Sequence, residues 1–168
     1  MSGGAYKVML LGDIGVGKSS LVRRLAFDHF TSEYKPTIGV EIYQHRLPNV
    51  GSAGVVLILW DTDGNFGDAV LRHVYVKQAS AAMIIADRTR PETVSTMIRL
   101  GDGFAQLMPG RAVHFIVNKS DLPSADGIDD LVSRLAPHTP MTQTSALDGT
   151  NVQQAFLDTA LAIERRGT

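Results

Sequence analysis

The chain of 168 residues contains no cysteine. That excludes a disulfide framework, a thiol nucleophile, a thiolate metal site and every lipid anchor carried on cysteine. It also lacks an excess of charge: 16 basic residues face 17 acidic ones, for a net charge of −1. A surface built to hold nucleic acid needs a concentrated basic field, so nucleic acid is not an expected partner. No apolar run approaches the roughly 20 residues needed to cross a bilayer, and the N-terminus has no signal-peptide pattern. The chain is therefore expected to be cytoplasmic, with no direct membrane anchor of its own. Tryptophan occurs once, and the five histidines (His29, His45, His73, His114, His138) are scattered singly. Their spacing suits surface or hydrogen-bonded structural roles better than metal ligation. The 44% hydrophobic and 20% charged residues suffice for one domain, 1–168, with a core of its own.

The most specific positive signal is Gly12-Asp13-Ile14-Gly15-Val16-Gly17-Lys18-Ser19, which fits the phosphate-loop pattern G-x-x-x-x-G-K-[ST]. An apolar run, Val8–Leu11, precedes it, and Leu21, Val22, Leu25 and Ala26 follow at helical spacing, so a strand feeds the loop and a helix leaves it. The glycines let the backbone turn while its amides converge on phosphate oxygens at a helix N-terminus. Lys18 adds a point charge, and the Ser19 hydroxyl is a ligand for Mg²⁺.

Short apolar runs alternate with helical patterns, as in a largely parallel sheet covered on both faces. The expected strands are Val8–Leu11, Glu41–Leu47, Val55–Trp60, Ala81–Ala86, Val113–Val117 and Met141–Thr144. Only residues 48–54 separate the second from the third, too few for a crossover helix, so these two should pair antiparallel. Helices are expected over Lys18–Phe27, Glu92–Met108 after Pro91, Asp129–Leu135 and Val152–Arg165, with Gly101 and Gly103 breaking or kinking the second. Asp126, Asp129 and Asp130 read as cap and dipole partners of the third, and Arg165 and Arg166 suit the end of the last.

Three further segments stand at informative separations: Phe30-Thr-Ser-Glu-Tyr34-Lys-Pro-Thr37-Ile-Gly39, Trp60-Asp61-Thr62-Asp63-Gly64-Asn65, and Asn118-Lys119-Ser120-Asp121. Singly, Thr37 also fits a turn, Asp61 a helix cap, and Asn118–Asp121 a solvated loop. Together with the phosphate loop and Ser145-Ala146 they resemble the motifs of Ras-superfamily small GTPases, most like the Rab branch between Gly12 and Glu41. The resemblance implies an α/β P-loop small G-protein fold: a six-stranded mixed sheet, five strands parallel and one antiparallel, flanked by about five helices. It implies a monomeric guanine-nucleotide switch that binds GTP or GDP with Mg²⁺, and effector and regulatory proteins that read its two switch loops.

By that resemblance the nucleotide is held by Asp13, Ile14, Gly15, Val16, Gly17, Lys18, Ser19 and Ser20, by Phe30, Tyr34, Thr37 and Gly64, by Asn118, Lys119 and Asp121, and by Ser145, Ala146 and Leu147. Ser19, Thr37 and Asp61 are the implied Mg²⁺ set, and Lys18, Thr37, Gly64 and Asn65 the implied catalytic set. A carboxylate at Asp121 can accept from the N1–H and 2-amino group of guanine, which adenine cannot supply, so a P-loop ATPase or kinase would require another role for it. Four positions depart from the pattern. Asn65 stands where glutamine usually orients the attacking water, Asp63 puts negative charge near the γ-phosphate, Ile14 crowds the approach of an arginine finger, and Leu147 replaces a lysine. The first three point to slow hydrolysis, or alternatively to a pseudo-GTPase that acts as a nucleotide-stabilised interaction module. Arg72, Arg88 and Arg90 are candidates for an internal finger, with solvated arginine as the default.

Overall fold

The computed structural model describes residues 3–27, 39–62, 64 and 76–167. Six strands form one sheet: β1 (Ala5–Leu11), β2 (Val40–Leu47), β3 (Val55–Thr62), β4 (Ala81–Asp87), β5 (Ala112–Asn118) and β6 (Met141–Gln143). Their order is β2-β3-β1-β4-β5-β6, and only the β2–β3 pair is antiparallel, in a register that runs from Val40 opposite Thr62 to Leu47 opposite Val55. The short 48–54 connection dictates that pairing, as the sequence implied. Among the described residues the helices are α1 (Lys18–Phe27), α2 (Pro91–Leu107), α3 (Ile128–Leu135) and α4 (Val152–Arg166), and none is long and apolar enough to cross a membrane.

Alternation along the strands sorts the core into two layers. Val8 and Leu10 of β1 and Met83 and Ile85 of β4 face one side, where Leu21, Val22 and Leu25 of α1 and Phe156, Ala160 and Ile163 of α4 cover them. Met9, Leu11, Ile84 and Ala86 face the other side, under Val94, Met97, Leu100 and Phe104 of α2 and Ile128 and Val132 of α3. The buried positions of α4 recur as Val152, Ala155, Phe156, Thr159, Ala160 and Ile163, the spacing of a single helical stripe. All seven residues of β4 are buried because helices cover both faces of the sheet there.

Of the two readings of Gly101 and Gly103, a break or a kink, the break fails. Helix α2 runs unbroken to Leu107. A Cβ on Gly101 would lie 2.6 Å from the ring of Phe115, so this glycine admits an aromatic side chain of β5 into the helix–sheet interface. Its intrinsic cost in a helix, about 1 kcal/mol relative to alanine, is offset by that packing.

Candidate functional site

Because β1, β3, β4, β5 and β6 run parallel, their carboxyl ends lie along one edge of the sheet. The chain steps from β1 to β3 on one side and then to β4 on the other, so the order reverses at β1, where ligands of open α/β sheets bind. The loop from Gly12 to Gly17 leaves β1 at that reversal. It enters α1 with Leu21 N–H donating to the Gly17 carbonyl at 2.9 Å.

Lys18 is buried, and its ammonium turns back onto the loop, donating to the carbonyls of Gly12 and Asp13 at 2.8 Å each. Next to it, Ser19 Oγ donates to Asp61 Oδ2 at 2.5 Å. Asp61 lies near the end of β3 with no exposed surface, and among the described residues its Oδ1 has no hydrogen-bond partner. Burial raises its carboxyl from 3.8 to about 6, against the opposing pull of the Ser19 hydroxyl and the Lys18 charge. An orphaned buried carboxylate oxygen beside a serine hydroxyl matches the hard oxygen donors that Mg²⁺ takes. The residues present therefore fit that ion. Gly64 abuts this corner, since a Cβ there would collide with the Ile14 amide.

Asn118, at the end of β5, ties the phosphate loop to the loop after β6. Its Nδ2 donates to the Val16 carbonyl at 2.9 Å, and its Oδ1 accepts from Thr144 Oγ1 at 3.0 Å and from the Ala146 N–H at 3.3 Å. Ser145 Oγ donates to Asp121 Oδ1 at 2.7 Å and orients that exposed carboxylate. Lys119 adopts φ +66°, a left-handed conformation that costs a lysine about 1 kcal/mol. Its ammonium lies 2.7 Å from Asp87 Oδ2.

Asp87 and Arg24 were missed by sequence reasoning. Asp87 ends β4 directly opposite Asn118 in the β4–β5 register, and a lone carboxylate closing an apolar strand beside a motif residue was the available signal. Burial would push its carboxyl up, but hydrogen bonds from Lys119 and Thr89 outweigh that and hold it below the ordinary range. Arg24 reaches from α1 to the carbonyls of Ala146 at 2.9 Å and Leu147 at 2.5 Å, holding the last loop in place, and nothing in its local sequence marks it. Arg88 and Arg90 are both occupied. Arg88 binds Ser124 Oγ at 2.9 Å and the Ser120 carbonyl at 3.1 Å, while Arg90 donates to the Ile14 carbonyl at 2.7 Å.

The structure thus brings together the 12–20 loop, Asp61, Gly64, Asn118, Lys119, Asp121, Ser145, Ala146 and Leu147 along one edge. Phe30, Tyr34, Thr37, Asp63, Asn65 and Arg72 lie outside the described residues. His114 has the structural role expected of it, with Nδ1 2.8 Å from Thr159 Oγ1 and Nε2 2.8 Å from Thr142 Oγ1.

Comparison with known proteins agrees with this geometry. Residues 7–165 match the sequence profile of the Ras family. The chain is 34% identical over 159 residues to the Ras-related protein RABA6a of Arabidopsis thaliana, covering 90% of this chain and 66% of that protein. It is 34% identical over 166 residues to the Ras-related protein YPT3 of Nicotiana plumbaginifolia, and 35% identical over 167 residues to the Ras-related protein Rab11D of Lotus japonicus. Each of these alignments covers 95% of this chain and 75% of the relative. With the phosphate loop, the buried Asp61 and the Asn118 clasp on one sheet edge, the chain belongs to the Ras family of small GTPases and is of the Rab type.

Proposed function

We propose that this chain is a cytoplasmic guanine-nucleotide switch that binds GTP or GDP with Mg²⁺ and hydrolyses GTP slowly to GDP and phosphate. The observation that carries the reading is Asp61, a fully buried carboxylate with one oxygen bonded to Ser19 and the other without a partner among the described residues. Ser19, Asp61 and Thr37 would hold the ion, which when bound supplies positive charge to the β- and γ-phosphates. The amides of residues 13–19 receive the phosphates, and Lys18 exchanges its loop carbonyls for phosphate oxygens. Asp121, oriented by Ser145, selects guanine, with Lys119 and Phe30 against the faces of the base. Thr37 and Gly64 sense the γ-phosphate, and the two switch loops present that state to effector and regulatory proteins.

Asn65, one methylene shorter than glutamine, positions the attacking water poorly, and a misplacement of about 1 Å can cost on the order of a hundredfold. Asp63 adds negative charge to a transition state that already carries it. Two measurements test the proposal. GTP with Mg²⁺ should raise the melting temperature and ATP should not, because a ligand stabilises only the state it binds. Single-turnover hydrolysis should be slow and should accelerate in the Asp63→Ala/Asn65→Gln double variant. A double variant no faster than the parent would refute the assigned cause, and equal stabilisation by ATP would refute the guanine assignment.

A further inference from the structure

The Ile14–Gly15 peptide sits at the exposed crown of the phosphate loop, and its carbonyl oxygen accepts a hydrogen bond from Arg90 Nη2 at 2.7 Å. In a trans peptide the C=O and the following N–H point in opposite directions, so whatever fixes the Ile14 oxygen also fixes the Gly15 N–H. Gly15 has φ +74° and no Cβ, so rotation of this peptide meets little steric resistance of its own. The loop therefore relies on something outside it to hold that amide in one direction.

Arg90 is built to do so. Its Nε donates to Asp87 Oδ2 at 3.2 Å, and its backbone N–H donates to the Asp87 carbonyl at 3.0 Å. Its own carbonyl accepts from Thr93 N–H at 3.0 Å and from Thr93 Oγ1 at 2.7 Å. Asp87, only 1% exposed, is fixed in turn through Oδ1 by the Thr89 N–H at 2.8 Å and the Thr89 hydroxyl at 2.7 Å. The planar guanidinium places one arm on a buried carboxylate and another on the loop, a bridge that the point charge of a lysine cannot copy. Since Nη2 is committed to a backbone carbonyl, Arg90 is cast as a brace of the loop and not as a group that reaches the phosphates.

We propose that Arg90 is a positioning residue for the phosphate loop: it holds the Ile14 carbonyl outward, thereby keeps the Gly15 N–H turned inward as a phosphate donor, and slows nucleotide release. This rests on the nucleotide-binding reading above.

The test is the release rate of N-methylanthraniloyl-GDP from wild type, Arg90→Ala and Arg90→Lys, with competition by GDP and by GMP, which has no β-phosphate. Loss of a charge-assisted hydrogen bond predicts release about tenfold faster from Arg90→Ala, with Arg90→Lys in between. Affinity for GDP should fall while affinity for GMP holds. The melting temperature of the nucleotide-stripped protein should change little, because the side chain is partly exposed. Release from Arg90→Ala within twofold of wild type overturns the proposal. Equal weakening of GDP and GMP overturns it as well, because the effect would then not act through the phosphates. Failure of the wild type to bind the GDP analogue at all would instead overturn the nucleotide reading, and this inference with it.

Discussion

Replacing Asp61 with asparagine should stabilise the protein when magnesium is stripped away and leave it less stable than wild type when magnesium and GDP are present. The side chain has no exposed surface, and burial raises its carboxyl from 3.8 to about 6. A rise of that size corresponds to about 3 kcal/mol for holding the charged form at pH 7.5. Since the folded value lies above the unfolded one, the penalty is absent below about pH 4, grows between the two values and is complete above about pH 6. Asparagine has the same shape and keeps an acceptor for Ser19, but it leaves an amide hydrogen where Oδ1 was, at a cost of about 1 kcal/mol. The net gain of about 2 kcal/mol corresponds to a melting temperature about 4–8 °C higher in a chain of this size. With magnesium and GDP at about a hundred times the dissociation constant, wild type gains about 2.7 kcal/mol by linkage, and the variant forfeits most of it. Thermal denaturation at pH 7.5 in EDTA and in magnesium with GDP should therefore rank the two proteins in opposite orders. A variant that melts below wild type in EDTA would refute the claim that Asp61 is a buried charge awaiting a cation.

Two further outcomes are accessible with the same protein. Asp121→Asn should weaken GTP binding and favour xanthosine triphosphate, whose 2-oxo group accepts from an amide; undiminished GTP affinity in a competition assay would remove Asp121 from the base site. Burial lowers the value of His114, which is bonded at both ring nitrogens, so the unfolded state takes up its proton first and the residue costs stability as pH falls below about 6.5. The melting temperature of wild type with magnesium and GDP should accordingly drop more steeply from pH 7.5 to 5.5 than that of His114→Gln, and parallel curves would contradict this.

The architecture was legible wherever one local rule sufficed. Short apolar runs marked the strands, and the seven residues between Leu47 and Val55 left β2 and β3 no pairing but antiparallel. Boundaries drifted where partners decide them: β1 begins at Ala5 because it pairs with Val56, earlier than its own apolar run suggests. Gly101 misled because helix propensity is a property of the residue, whereas its fit against Phe115 is a property of a contact across the interface. The motif residues around the phosphate loop were readable as a set, since each carries a fixed chemistry. Arg24 and the grip of Arg90 on Ile14 were not, because they join segments far apart in sequence through backbone carbonyls that every residue possesses, and Asp87 was not, because only the β4–β5 register sets its carboxylate beside Lys119.

Asn118 has a kinetic consequence. From the end of β5, one amide side chain satisfies the Val16 carbonyl in the phosphate loop and both the Thr144 hydroxyl and the Ala146 N–H in the loop after β6. Peeling back either loop strands a buried polar group shared with the other, so their openings are coupled and the two loops yield as one cooperative unit. A protein that drives exchange need not pry at both the phosphate end and the base end. Displacing the Ala146 loop alone would loosen the hold on Val16 in the phosphate loop.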